Sequence, residues 1–405
     1  MLPEISISPE YLTDLLRISL GDPFAQAGEW RLERLKGGLE LGSEIYRLSG
    51  TAQAGETQQS WSVIIKAIQP DRAKEDPSGC HYWKREPLAY QSGLLYTLPG
   101  HLTAPRCFDV RKNTDGSIWI CMEEIKDEQA RPWSLEAYVQ VARQLGEFNG
   151  AYLARRPQPD ETWISQNWLR SYLQNAAPMV DFLRQNPAHA AVQKMLPGIS
   201  LPLTLAIWDE HTHMLKILDG MPQTFCHQDA FERNLFYRAG ELVAIDWSFA
   251  GIAPVGTELT ALIGAVGLTN FHSSQIRQLD QACFEGYLEG LRQAGWTPDP
   301  RQVRLCYCLN IILRYVIGAT IGEQLPGLLN QATRAHWMEG TGQTEETAGK
   351  IDPEIVNYYT AIAIEGLKAL GLGTLLRVAV RTAGYAIRLS RKSRAQFARN
   401  GKKTP

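Results

Sequence analysis

The chain has 405 residues, 44% of them hydrophobic, with 41 basic and 43 acidic side chains for a formal charge of −2. That length and apolar content suffice for a substantial core in two or three structural units, and they exclude a disordered chain. The small net charge hides an asymmetry: residues 377–405 carry nine basic side chains and no acidic one, so 41 less nine leaves 32 basic against 43 acidic groups in residues 1–376.

The opening segment, MLPEISISPEYLTDLLRISLG, has neither the basic start nor the continuous apolar core of a secretory signal. The longest uncharged stretches, such as LTALIGAVGLTNFHSSQI, include polar residues and fall short of a membrane span. Seven cysteines, an odd number without a CxxC pair, fit a reducing compartment and argue against a zinc site. The expectation is a soluble, cytoplasmic protein. His211 and His213 in DEHTHM lie two apart and do not share a helical face, so they read as surface histidines.

Along the chain, residues 30–68 read as strands joined by turns: WRLERL and EIYRLSG alternate, TAQAGETQQ is a polar turn, and WSVIIKAI is a β-branched run holding one lysine. REPLAYQSGLLYTL predicts a helix, with Pro87 in a first turn that tolerates it. APRCFDVRKNTDGSIWICMEEI predicts a hairpin turning at TDG. From about residue 133 the period becomes helical, in SLEAYVQVARQLGEFNGAYL, WLRSYLQNAAPMVDFLRQ and LAIWDEHTHMLKIL. Two short strands, NLFY and LVAID, interrupt the helices around the turn RAG. QIRQLDQACFEGYLEGLRQAG and RLCYCLNIILRYVIGATIG are helical again, the second apolar enough for a core helix.

Between those helices lies TFCHQDAFERNLF. Phosphoryl transfer needs a hydroxyl held in line with the γ-phosphate, and metal plus basic groups to neutralise the phosphates. A loop aspartate can orient that hydroxyl and take its proton, while an asparagine five residues on and an aspartate at a strand end can hold Mg²⁺. Asp229, Asn234 and Asp246 have that arrangement. Taken singly, each is also an ordinary turn or cap residue.

HQDAFERNLF followed by AIDWSFAG resembles the catalytic loop and metal-binding segment of the aminoglycoside phosphotransferase and choline kinase-like family, which has a protein-kinase-like fold. The resemblance spans about residues 30–330 and rests on some two dozen positions. It implies an α+β, two-lobed fold with a small antiparallel-sheet N-lobe and a larger, mainly helical C-lobe. The expected division is 1–125 for the nucleotide-binding lobe, 126–376 for the catalytic and acceptor-binding lobe, and 377–405 for a basic tail.

The resemblance also implies ATP and Mg²⁺ as cofactors. Asp229 would be the catalytic base, and Asn234 and Asp246 the metal ligands. Lys66 would contact the non-transferred phosphates, paired with Glu86 on the following helix. Gly37, Gly38 and Gly42 would bring backbone close to phosphate, and backbone amides around Glu123–Ile125 would meet the adenine edge. His227 would pack beneath the loop, and Glu258, where the family usually has an aspartate, would partner it.

The segment after Asp246 enters a helix within about a dozen residues, without an activation loop or an A-P-E motif, so the resemblance points to a small-molecule kinase rather than a protein kinase. The acceptor would be a hydroxyl of an aminoglycoside, an amino sugar, a choline-like amine or a similar metabolite. The acidic body, with a cluster around Glu339–Glu346, favours a cationic acceptor through long-range attraction. A binding or regulatory protein that keeps the fold without turnover is the competing reading. The polar stretch 339–354 is a lid or an idle surface loop, and Trp337 stacks on a sugar or packs.

No nucleic acid and no membrane span are expected. If LLRVAVRTAGYAIRLSRKSRAQF is helical, Arg377, Arg381, Arg388 and Arg391 gather near one face, opposite Leu376, Ala383 and Ile387. Such a helix either docks on the acidic body, the preferred reading, or touches an anionic membrane or nucleic acid.

Overall fold

The computed structural model describes residues 5–35, 42–55, 57–196, 200–264, 273–330 and 352–400, with isolated positions between 334 and 344. It opens on a helix that the strand-dominated reading of the N-terminal third omits, α1 (Pro9–Leu20). The signals are local: Ser8 accepts from the Tyr11 amide, Pro9 occupies the first turn, and Gly21 ends the helix in the left-handed region. Leu12, Leu15 and Leu16 are buried against the sheet that follows.

That sheet contains β1 (Gln26–Leu35), β2 (Ser43–Ala54), β3 (Thr57–Ile68), β5 (Cys107–Lys112) and β6 (Ile118–Glu123), in the antiparallel order β1-β2-β3-β6-β5. Alternation sorts the two faces of β3. Trp61, Val63, Ile65 and Ala67 join the small core under α1. Ile64 and Ile68 pack into the main core on the other face, and Lys66 shares their parity. The register therefore aims the one lysine of β3 away from α1 and toward the rest of the molecule.

Helix α2 (Arg85–Gln91) is shorter than expected, because Gly93 takes a left-handed conformation and the chain continues as a 3-10 turn, Leu94–Thr97. Strand β4 (Leu102–Thr103) leaves the N-terminal sheet altogether. It pairs in parallel with β9 (Glu241–Ala244), which is also paired with β8 (Leu235–Arg238), and so ties the two lobes together.

The C-lobe is mainly helical. Helix α3 (Leu135–Ala154) is followed by α4 (Trp168–Gln174) and α5 (Ala177–Gln185), two helices where one was expected, and then by α6 (Ala190–Met195). The next expected helix is also divided, into α7 (Ser200–Trp208) and α8 (His211–Asp219) around Glu210. After β7 (Gln223–Cys226) come β8 and β9, β10 (Gly251–Pro254), α9 (Thr257–Gly264), α10 (Ile276–Gln293) and α11 (Pro300–Ile311). Helix α11 runs through a π-helical stretch, Ile312–Gln324, into α12 (Leu325–Leu329). This continuous helix, Pro300–Leu329, is long and apolar enough to cross a membrane, but most of it is buried in the lobe as a core helix. Helices α13 (Pro353–Ala369) and α14 (Leu372–Asn400) complete the described chain, so the basic tail is helical from Leu372.

Helices α3 and α10 approach backbone to backbone through glycines four apart on each, Gly146 and Gly150 against Gly286 and Gly290. A Cβ on Gly150 would stand 2.7 Å from Ala294 Cβ, one on Gly286 would stand 2.9 Å from the Val139 carbonyl, and one on Gly290 would collide with the Arg143 carbonyl. The pair carries the strand that leads to the candidate site. Asn149 donates to the Phe225 carbonyl at 2.9 Å and accepts from Tyr287 Oη at 2.6 Å.

Candidate active site

Strand β7 ends at Cys226 and delivers His227, Gln228 and Asp229, all buried, to the interior edge of the C-lobe. Gln228 is in the left-handed region, φ 65°, a strained conformation for a residue with its side chain. Glu258, at the start of α9, compensates by accepting from the amides of His227 at 2.7 Å and Gln228 at 3.1 Å. Burial pushes the Glu258 carboxyl up to about 7, although both amides favour its charged form.

The His227 ring fixes its own tautomer. Nε2 donates to the Ile245 carbonyl at 2.9 Å, while Nδ1 accepts from the Asp229 amide at 3.1 Å. Burial holds the imidazole down to about 4, so it is neutral and joins Asp229 to the end of β9. Asn234, in a one-turn 3-10 helix, then clamps Asp229: its Nδ2 donates to the Asp229 carbonyl at 3.0 Å and to Oδ2 at 2.9 Å.

Asp246 follows β9 and, like Gln228, has a left-handed backbone, φ 65°. The turn directs its carboxylate to Lys66, 180 residues earlier: Nζ lies 3.0 Å from Oδ1 of Asp246 and 2.6 Å from Oε2 of Glu86. Burial opposes the Lys66 charge, but Asp246 and Glu86 together outweigh it and raise the ammonium. For Glu86 burial wins and raises the carboxyl despite Lys66; for Asp246, whose side chain is 31% exposed, the attraction of Lys66 overcomes burial and lowers it.

Two buried arginines outside the expected set complete the region. Arg314, in the π-helical stretch, donates to the Gln228 carbonyl and reaches Oδ1 of Asp229 at 3.3 Å. Its guanidinium lies 4.6 Å from the Trp168 ring, 5.4 Å from Tyr315 and 5.9 Å from Phe231. Arg85 points all its donors at carbonyls: Pro77, Gly79 and Cys80 before α2, Trp163 after α3, and Ser248 just past Asp246, at 2.7–3.1 Å.

The remaining expected contributors are not gathered as tightly. The Glu123 amide donates to the Arg106 carbonyl at 2.9 Å and its carboxylate pairs with Arg238 at 2.7 Å, so of the three amides of Glu123–Ile125 that of Glu123 is committed, while those of Glu124 and Ile125 make no hydrogen bond among the described residues. Gly42 opens β2 with φ 68°. Gly37 and Gly38 lie outside the described residues, as do Trp337 and nearly all of the 339–351 stretch. His211 stacks on Trp208 at 4.1 Å, and the described residues contain no cluster of three or more His, Cys, Asp or Glu side chains able to hold a metal.

A five-stranded antiparallel lobe over a helical lobe, with the sheet lysine meeting a carboxylate from each, is the protein-kinase-like fold. The chain belongs to the phosphotransferase enzyme family (APH), whose profile matches residues 82–305. Choline kinase from Cryptosporidium parvum Iowa II has a similar structure, with 12% identity over 91% of this chain and 98% of its own and a TM-score of 0.52. A point variant of aminoglycoside 2'-phosphotransferase IIIa, solved as its GDP complex, has 14% identity over 88% of this chain and 100% of its own, with a TM-score of 0.50. At such identities the likeness is one of fold. No curated protein matches the sequence.

Proposed function

We propose that the chain transfers the γ-phosphate of ATP to a hydroxyl of a small molecule. The observation that carries this reading is the Lys66 ammonium, joined to Glu86 on the N-lobe and Asp246 on the C-lobe. A lysine buried between two carboxylates has a fixed direction, and its surplus of negative partners suits a site completed by a divalent cation and phosphates. Lys66 would hold the non-transferred phosphates, steadied by Glu86.

The donor set fits magnesium. Asp246 offers a partly exposed carboxylate, and Asn234, whose amide nitrogen is committed to Asp229, has its carbonyl oxygen left as a ligand atom. When bound, the metal would neutralise phosphate charge. The amides of Glu124 and Ile125 would be the donors available to the adenine edge, and Gly42, with Gly37 and Gly38, would bring backbone close to the phosphates.

Asp229 would take the proton of the acceptor hydroxyl as its oxygen bonds to the γ-phosphorus and the bond to the β-phosphate bridging oxygen breaks, releasing ADP. Asn234 and Arg314 fix that carboxylate at Oδ2 and Oδ1, while the His227 ring accepts from the Asp229 backbone amide and so holds the residue's main chain. Arg314 also fills the aromatic surround beside Asp229, which disfavours binding a choline-like cation at that spot; amino sugars and aminoglycosides remain the better acceptor classes, with their ammonium groups bound elsewhere.

The test is Mg²⁺-dependent transfer of labelled γ-phosphate from ATP to a panel of aminoglycosides, amino sugars, cholines and hydroxy amino acids. Asp229→Asn should abolish product while ATP still binds, and Asp246→Asn should impair binding of the metal-nucleotide. Full turnover in both variants would refute the assignments. Absence of nucleotide binding by the wild type would favour a binding protein without turnover.

A further inference from the structure

Helix α14 is apolar on two opposite sides. One side faces the body: Thr374, Val378 and Leu389 are buried, and Tyr385 donates to Asp209 at 2.9 Å. Arg377 and Arg381 hold Glu210 between α7 and α8, at 3.0 and 2.5 Å, and Lys392 donates to the Arg184 carbonyl at 2.9 Å.

The opposite side is exposed and should not be apolar if docking were the helix's whole purpose. Leu372, Leu376, Val380 and Ile387 are 69, 53, 70 and 56% exposed, and Ala383 lies among them. At about 100° per residue these five positions fall within an arc of about 80°, directly across the helix from Val378 and Leu389. Arg388 lies on one flank of the stripe and Arg391 at its edge, both exposed, while Arg377 and Arg381 on that flank are engaged by Glu210; no acidic residue occurs from Gly366 to Pro405.

We propose that this face of α14 lies on an anionic lipid bilayer, with the Leu372–Ile387 stripe among the acyl chains and Arg388 and Arg391 at the headgroups. The stripe is parallel to the helix axis, as an in-plane helix requires, and the flanking charge is of one sign, complementary to acidic lipids. Arginines alone would serve a nucleic acid equally well, but five aligned apolar positions give it nothing to bind. The inference is independent of the proposed phosphoryl transfer.

The experiment uses the full chain with sedimentable vesicles of phosphatidylcholine, alone or with roughly 30% phosphatidylserine. Wild type should co-sediment with the acidic vesicles, less so as salt rises, and only weakly with the neutral ones. The triple variant Leu376→Gln/Val380→Gln/Ile387→Gln, altered only at exposed positions, should keep the wild-type melting temperature and lose at least about tenfold in partitioning. Val380→Trp fluorescence should shift to the blue on adding acidic vesicles. Failure of wild type to bind acidic vesicles, or equal binding by the triple variant, would overturn the proposal. So would a concentration-dependent dimer that the triple variant abolishes without vesicle binding, which would assign the stripe to a second copy, or salt-sensitive binding to RNA alone.

Discussion

Arg314 reaches Oδ1 of Asp229 from one side while Asn234 donates to Oδ2 from the other, so neither carboxylate oxygen of the loop aspartate can turn without breaking a buried contact. Arg314 lies in the π-helical stretch, a form with a wider turn than the α-helix that is frequent at functional sites.

Under the proposed reaction Arg314 is a positioning residue. Arg314→Met should lower kcat by about a hundredfold through misorientation of Asp229 and leave the ATP KM within about twofold. Arg314→Lys, which keeps the charge but reaches one partner at a time, should recover part of the loss. An unchanged kcat in the methionine variant would remove Arg314 from the site.

Arg85 satisfies five carbonyls with one side chain, and methionine would strand them in the interior. Arg85→Met is expected to cost at least about 3 kcal/mol. The measurement is the denaturant midpoint, and a midpoint equal to that of wild type would contradict the accounting.

His227 and Glu258 give opposite pH dependences. His227 has a folded pKa of about 4, below its ordinary 6.5, so the folded state binds fewer protons in that window. Its contribution is complete above 6.5 and falls away toward 4, on the order of 3 kcal/mol in all. Glu258, raised to about 7 from 4.5, makes the folded state bind more protons, so its contribution declines as pH rises between those values. The stability difference between wild type and His227→Gln should therefore shrink on acidification from 6.5 to 4. The difference between wild type and Glu258→Gln should shrink as pH rises from 4.5 to 7. Urea titrations across pH 4–8 read both, and parallel curves for all three proteins would contradict the assignment.

Gly290→Ala places a methyl group against the Arg143 carbonyl, where neither helix can yield without moving the other. A loss of about 2–3 kcal/mol is expected. Equal stability in thermal or chemical unfolding would show that α3 and α10 can separate freely.

Much of the site is legible in the sequence because it is local. His227, Asp229, Asn234 and Asp246 share one strand-loop-strand passage, so their spacing marks them as a group and carries the family resemblance that implies their roles. Lys66 stands out as a charge inside a β-branched run, and strand alternation determines its direction. Glu86 is less legible, since Pro87 suggests a simple helix start, yet the first turn is what brings its carboxylate to Lys66.

The arginines are hidden for different reasons. Arg85 stands beside Lys84 and Glu86 and passes for surface charge; its partners are distributed over 170 residues, at positions 77–248, and are all backbone, which has no sequence signature. Arg314 did carry a signal. It is the one charged residue between Arg304 and Glu323 in an otherwise apolar helix, and a charge in such a place requires a buried partner. Helix α1 was equally open to recognition from Ser8, Pro9 and Glu10, a cap, a first-turn proline and an acidic first turn.

The five carbonyls gathered by Arg85 come from both lobes, three from the approach to α2 and two from the C-lobe. A guanidinium so committed cannot be stretched, only rotated about. If the lobes open and close during turnover, their axis must pass near this side chain, with the largest excursions at the far rim of the sheet, in β1 and β2. Lys66, Glu86 and Asp246, close to that pivot, would then stay in register throughout the cycle.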